Sequence, residues 1–304
     1  MQNIEDIKNK LLKSSSLRSL IIESKVYNEL DKLSWQTEQS PFFIDSNSKK
    51  MRELDVKARK YFTKDSYSCD VDMLVECKSL KNYHIIANSP SLDNGDFDFI
   101  WLGNYTYNKV NKLDELLFKY GFNTEENVYI KEKLEEYCVP DSTYRWLDYK
   151  LEPFKIPTFN TYRETNVNTT KDIDNSVIWK CILSLQSAIL AHEELLLTNI
   201  ECIILESIHL NISKLKKIDN IIESLKEISN HMYFIHPVIV VESKLWEFTK
   251  KNDLKELKYF RFNIQKFFED SLWVDIVNFE HVDEYLKKTK EYISFHKKRK
   301  IEIY

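Results

Sequence analysis

In Glu53-Leu54-Asp55-Val56-Lys57-Ala58-Arg59 the charged residues take the odd positions and the apolar residues the even ones. Side chains alternate faces along a strand, so this run reads as a β-strand with one apolar and one charged face. A second run, Asp72-Met73-Leu74-Val75-Glu76-Cys77-Lys78, is a strand that places Glu76 and Lys78 on a shared face. If the strands are neighbours, Asp55, Glu76 and Lys78 meet on one surface. Charged residues are seldom taken into a sheet without a partner or a use. The two segments therefore constrain the fold and the chemistry together.

A hard divalent cation such as Mg²⁺ takes oxygen ligands, keeps several waters and needs only one or two carboxylates. Asp55 and Glu76 supply them, with the Cys77 backbone carbonyl as a third donor. Such an ion polarises a phosphoryl oxygen and lowers the pKa of a bound water. Lys78 is placed to orient that water or to offset phosphorane charge. Partial burial lowers an ammonium pKa and the two carboxylates oppose that shift; the sequence leaves open which wins. Each of the three residues taken singly reads as a surface salt-bridge partner, and the order of the elements favours a metal site. Lys57 and Arg59 read either as phosphate contacts or as a solvated face.

Three glycines in 304 residues exclude the phosphate-cradling loops G-x-G-x-x-G and G-x-x-x-x-G-K-[ST]. Apolar residues make up 43% and charged residues 30%, an ordinary soluble composition with enough chain for a sizeable core. The net charge of −4 gives no global attraction for nucleic acid, so any polyanion site must be a local basic patch. Five scattered cysteines without a C-x-x-C pair exclude a zinc ribbon or redox motif and suit a reducing cytosol. Met1 to Lys13 is too polar for a signal peptide, and no apolar run reaches the length of a bilayer. The expectation is a cytoplasmic protein with no membrane partner.

Residues Ile4 to Leu33 read as helical, with Leu20, Val26, Tyr27, Leu30 and Leu33 at helical spacing. Gln36–Asp45 and Met51–Phe62 read as a hairpin, and Met73–Cys77 as a short interior strand. From Ser79 to about Asp174 the pattern loosens into an insertion with helices over Leu113–Tyr120 and Glu125–Tyr137 and a turn at Asn94-Gly95. Ser176–Leu197 predicts a helix with a wide apolar face. Glu201–Ile208 is strand or helix, and Ile212–Asn230 is helical. His236–Val241 is a β-branched core strand behind a proline. Asp253–Tyr304 mixes helix with one strand-like stretch and ends in the basic cluster His296–Lys300. The fold class is α/β, a mixed sheet flanked by helices.

On Arg52-Glu53-Leu54-Asp55 and Glu76-Cys77-Lys78 the chain resembles the PD-(D/E)xK, or restriction-endonuclease-like, nuclease superfamily. Leu54 stands where the family pattern has proline. Many members also carry a Glu on the preceding helix, an aromatic at its end and a Gln on the following helix; Glu23, Trp35 and Gln186 match these positions. Glu29 is the alternative to Glu23, which is preferred because it extends the stripe of Val26, Leu30 and Leu33. The resemblance implies one domain over 1–304 with an αβββαβ core at 17–79 and 176–243. An insertion lies at about 80–175 and a C-terminal extension at 244–304. It implies a nuclease dependent on Mg²⁺ or Mn²⁺, with Glu23 as a further metal or water ligand. DNA is favoured over RNA, and a bacterial defence or restriction setting is suggested. A homodimer follows by analogy, because cutting both strands needs two sites. Any ATP-driven step needs an ATPase or helicase partner. The competing reading is a nuclease-fold subunit that binds nucleic acid or serves assembly in a multi-protein defence complex.

Other features carry less. His192-Glu193-Glu194 lacks the second His of a zinc helix. His84, His231 and His236 read as structural. The aromatics Trp101, Tyr105, Tyr107, Tyr144 and Trp146 either stack bases or pack the insertion's own core, and the latter is favoured.

Overall fold

The structure, a computed structural model, describes residues 3–64, 67–90, 100–104, 110–135, 156–166, 176–229, 231–264 and 272–298. The Asn94-Gly95 turn, Tyr105, Tyr107, Tyr144, Trp146 and the end of the basic tail, Arg299 and Lys300, lie outside these residues.

The single helix expected over Ile4–Leu33 is two, α1 (Ile4–Lys13) and α2 (Ser15–Lys32). Ser14 is the cause. Its N–H returns to the Leu11 carbonyl at 2.9 Å and its Oγ accepts the Leu17 N–H at 3.3 Å. One serine thus ends the first helix and caps the second. Helix α2 buries Ile22, Val26 and Leu30, spaced four apart on one stripe. Ser34, at φ +62°, closes it, and the Trp35 N–H reaches back to the Leu30 carbonyl at 3.1 Å.

Strands β1 (Gln36–Gln39), β2 (Phe42–Ile44), β3 (Met51–Glu53), β4 (Val56–Lys64) and β5 (Tyr67–Lys78) follow. Each arm of the expected hairpin is divided. Strands β2 and β3 pair with each other as a separate ribbon, while β1 pairs with β4. Ser40 makes the bend at φ +52°, donating its N–H to the Asp55 carbonyl at 2.9 Å, and Leu54 donates to the Pro41 carbonyl at 3.0 Å. These bonds fix Asp55 at the mouth of β4.

Strand β5 is antiparallel to β4, with Val56 opposite Val75, and parallel to β9 (His231–Val241), with Glu76 opposite Ile239. The crossover between β5 and β9 includes α5 (Val177–His209) and α6 (Lys214–Ser229). Pro237 lies where β9 loses one partner on its far side and gains another. Strand β7 (Ile100–Asn104) pairs up to Ile235, and β13 (Leu272–Asn278) begins at Val238. A missing N–H is tolerated at such a junction.

The insertion is not a body apart. It contributes α3 (Val110–Lys119) and α4 (Thr124–Glu135), and also β6 (Tyr83–Pro90), β7 and β8 (Thr158–Asn166), all three in the main sheet. The C-terminal extension adds β10 (Lys244–Phe248), β11 (Leu254–Leu257), β12 (Tyr259–Ile264), β13 and α7 (Val282–Lys298). After Asp253 three strands therefore stand where one was expected. The main sheet runs β1-β4-β5-β9-β13-β12-β8-β6-β10-β11, with β7 beside β9. No helix among the described residues is long and apolar enough to cross a membrane.

Helices cover both faces of the sheet. On one side Val56, Val71, Met73 and Val75 pack with Ile22, Val26 and Leu30 of α2 and Tyr285 and Leu286 of α7. On the other, Leu54, Leu74 and Ile239 pack with Ile182, Leu185 and Ile189 of α5. The charged residues of β5 lie on this second side, so Glu76 and Asp72 are buried, at 4% and 1% exposure, and not on an open face.

Helix α5 starts at Ser176, whose Oγ accepts the Trp179 N–H at 2.9 Å. Buried Glu164 of β8 accepts the Val177 and Ile178 N–H groups at 3.1 Å each, a carboxylate at the positive end of the helix. The helix continues through 201–208, because Ile200 and Ile204 extend the same buried stripe. Ser176→Ala is expected to cost about 1 kcal/mol of stability. Urea unfolding of the variant against wild type measures this, and an unchanged midpoint would contradict it.

Candidate active site

Asp55, Glu76 and Lys78 come together where β4 begins and β5 ends. The Lys78 ammonium lies 2.9 Å from Asp55 Oδ2 and 2.9 Å from Glu76 Oε2. Asp55 Oδ2 also accepts the Cys77 N–H at 2.6 Å, so Cys77 enters the cluster through its amide. Its side chain is buried on the opposite face, against the α2 and α7 core. Glu76 Oε1 accepts the hydroxyl of Ser184 from α5 at 2.7 Å. Asp55 is therefore oriented by the β5 backbone and Glu76 by α5. Lys78 remains partly open, at 30% side-chain exposure.

The electrostatics answer the question left open for Lys78. Burial works to lower its pKa, but the Glu76 and Asp55 carboxylates outweigh this and hold it above the usual lysine range. Glu76 is shifted upward, first by burial and then by the Asp55 charge, with Lys78 opposing.

Glu23 of α2 stands beside this group. Its carboxyl is pushed up to about 7, chiefly by desolvation and then by the Asp55 charge, with Glu53 and Glu76 adding and Lys78 opposing. Glu29 faces elsewhere and forms an ion pair with Lys32 at 2.6 Å. The raised folded pKa means that the native state holds the Glu23 proton more tightly than the unfolded chain. This residue's contribution to stability is full below its ordinary value of 4.5 and is lost as pH rises through about 7. Glu23→Gln is therefore expected to gain stability on wild type as pH rises across that window, and to match it below. Paired thermal melts in a chelator read this directly; a pH-independent difference between the two proteins would refute it.

Gln186 is half-buried on α5 and takes no part in these polar contacts. Ser184, two residues earlier and about 200° around the helix, is the α5 group that reaches Glu76. The sequence held a signal for it. Ser184 falls between Cys181 and Ala188 on the buried stripe, where a hydroxyl needs a partner.

Lys57 and Arg59 belong to a second polar cluster on the same face, under α5. Arg59 forks the Asp72 carboxylate at 2.6 and 2.7 Å, and Lys57 lies 3.6 Å from it. Arg59 is thus committed to a buried partner and is not part of a solvated face. His192 Nδ1 is 3.8 Å from Asp72 Oδ2, and burial pushes the imidazole pKa down to about 4, so this ring is neutral at pH 7.

Among the described residues no three His, Cys, Asp or Glu side chains are grouped closely enough to hold a metal ion. The available donor set is the Asp55 and Glu76 pair. Its chemistry suits Mg²⁺ or Mn²⁺, which need only one or two carboxylates and retain water. The Lys78 nitrogen shows that one cationic centre already engages both.

Comparison with protein-family models, with curated proteins and with solved structures gave no match.

Proposed function

We propose that the chain is a metal-dependent nuclease that hydrolyses phosphodiester bonds, with DNA the favoured substrate. The observation that carries this reading is the convergence of Asp55, Glu76 and Lys78 on one point, with Glu23 beside them. The order α2, β1, β4, β5, α5, β9, with β9 parallel to β5, supports a restriction-endonuclease-like core in this part of the chain.

Asp55 and Glu76 would hold a Mg²⁺ or Mn²⁺ ion, which supplies Lewis-acid polarisation of a phosphoryl oxygen and a more acidic bound water. Lys78 stays protonated and acts as a fixed positive charge toward the developing phosphorane, not as a base. Glu23, whose carboxyl is pushed up to about 7, is the group suited to accept a proton near neutral pH. Ser184 and the Cys77 N–H position Glu76 and Asp55.

The test incubates purified protein with plasmid, linear and single-stranded DNA and with RNA, plus Mg²⁺ or Mn²⁺. Wild type is expected to cut, with Lys78→Ala reduced about a hundredfold or more. Cleavage of none of these substrates, or equal cleavage by the variant, would sink the reading. One observation favours the second reading, a binding or assembly subunit: Lys78 already neutralises both carboxylates. Gel shifts without cleavage, together with co-purification of an ATPase or helicase, would select it.

A further inference from the structure

Beside the site lies a cavity of about 450 Å³, between the β2–β3 ribbon, α5 and the sheet. Protein interiors are normally filled to crystal-like density. From α5, Ala188, Ala191, His192, Glu194, Leu195 and Thr198 line the space, and the two small alanines leave part of it open. The volume falls in the roughly 300–1,000 Å³ range of small-molecule sites, which are largely apolar with a few polar groups. Pro41, Phe42, Phe43 and Leu74 form an apolar wall, and the polar rim holds Lys57, His192 and Glu38 with the Lys49–Glu194 ion pair at 3.0 Å. Phe42 is 66% exposed. The His192 side chain is nine-tenths buried, and its Nε2 has no hydrogen-bond partner in the protein.

The position of the cavity says what it holds. Leu54 in its wall immediately precedes Asp55. Leu74 lies two strand positions before Glu76, about 7 Å away, within the reach of a single nucleotide. We propose that this cavity receives one unstacked nucleobase of the strand being cut, next to the phosphodiester at Asp55 and Glu76. The inference rests on the nuclease reading above. Aromatic and apolar walls stack or enclose the base, and Lys57 meets its phosphate. Stacking of this kind accepts any base, because each has a π-face. The site therefore selects accessible or extrudable nucleotides more than sequence.

The test uses a DNA substrate of one sequence carrying a single abasic residue at successive positions around the cut. Wild type is expected to lose roughly tenfold or more in kcat/KM at one position next to the scissile bond, and little elsewhere. Ala191→Trp, which fills the cavity, is expected to cut intact DNA as slowly as wild type cuts that abasic substrate, with no further loss on it. Uniform effects at all positions would overturn the pocket, while the cleavage itself would leave the nuclease reading standing. The wild-type scan decides this even if the tryptophan variant fails to fold. Absence of cleavage, and of DNA binding with Ca²⁺ in place of Mg²⁺, would remove the nuclease reading and the pocket with it.

Discussion

Asp55→Asn is expected to abolish metal-dependent cleavage, by at least about a hundredfold, while leaving the fold intact. Asparagine keeps an oxygen that can accept the Cys77 N–H, now 2.6 Å from Asp55 Oδ2. Only the charge is lost. With it goes half of the donor pair for a divalent ion, and Lys78 keeps Glu76 at 2.9 Å as its partner. The same change relieves the like-charge pressure that raises Glu23 and Glu76. In a chelator the variant should therefore be at least as stable as wild type, the usual trade between a strained site and stability. Adding Mg²⁺ should raise the wild-type melting temperature, because an ion that binds only the native state stabilises it by mass action. It should leave Asp55→Asn unmoved. If the variant still cuts, or if the two proteins respond alike to Mg²⁺, Asp55 is not a ligand.

The second large effect lies on the opposite face of the sheet, two strands across from β5. Arg261 of β12 and Asp275 of β13 are directly opposite in the antiparallel ladder. They are buried at 5% and 0% exposure and joined by two hydrogen bonds of 2.7 and 3.0 Å. The Tyr285 hydroxyl donates to the same carboxylate at 2.8 Å, and His236 Nε2 lies 2.5 Å from that hydroxyl. Asp275→Ala takes the carboxylate from a buried guanidinium and is expected to cost about 3–5 kcal/mol. Replacing both members, as in Asp275→Leu with Arg261→Met, should recover most of that loss, because a well-packed apolar pair needs no charge compensation. Urea midpoints of the single and double variants provide the measurement. A loss below about 1 kcal/mol in the single variant would show that the carboxylate contributes little.

This ion pair also explains what the sequence concealed. Strands β4 and β5 were legible because charge and apolarity alternate over Glu53–Arg59 and because Met73–Val75 is apolar. Helix α5 was legible from its stripe and β9 from its β-branched run. In β12 and β13 the buried Arg261 and Asp275 interrupt the apolar pattern, so neither segment announces itself locally. Strand β6 takes its partners from β8 and β10, far along the chain, and its identity depends on pairings that no local window contains. The split at Ser14 was hidden because a serine that caps a helix also fits inside one. Within the site, the charged positions were legible from alternation. For Ser184 the sequence showed only a hydroxyl beside an apolar stripe; its partner, Glu76, comes from across a helix–sheet interface that no local window contains.

The parallel pairing of β5 with β9 joins Glu76 to Ile239 across most of the chain. During synthesis all four acidic and basic groups of the cluster leave the ribosome early, yet the strand beside β5 and the helix that supplies Ser184 emerge much later. Contacts so distant in sequence close slowly, because the loop entropy is lost before the contact is gained. Residues up to the end of β5 alone lack both the strand that flanks β5 and the Ser184 hydroxyl that orients Glu76. On the nuclease reading proposed above, a nascent or truncated chain ending before β9 would not cut, and activity would arise only with the completed sheet.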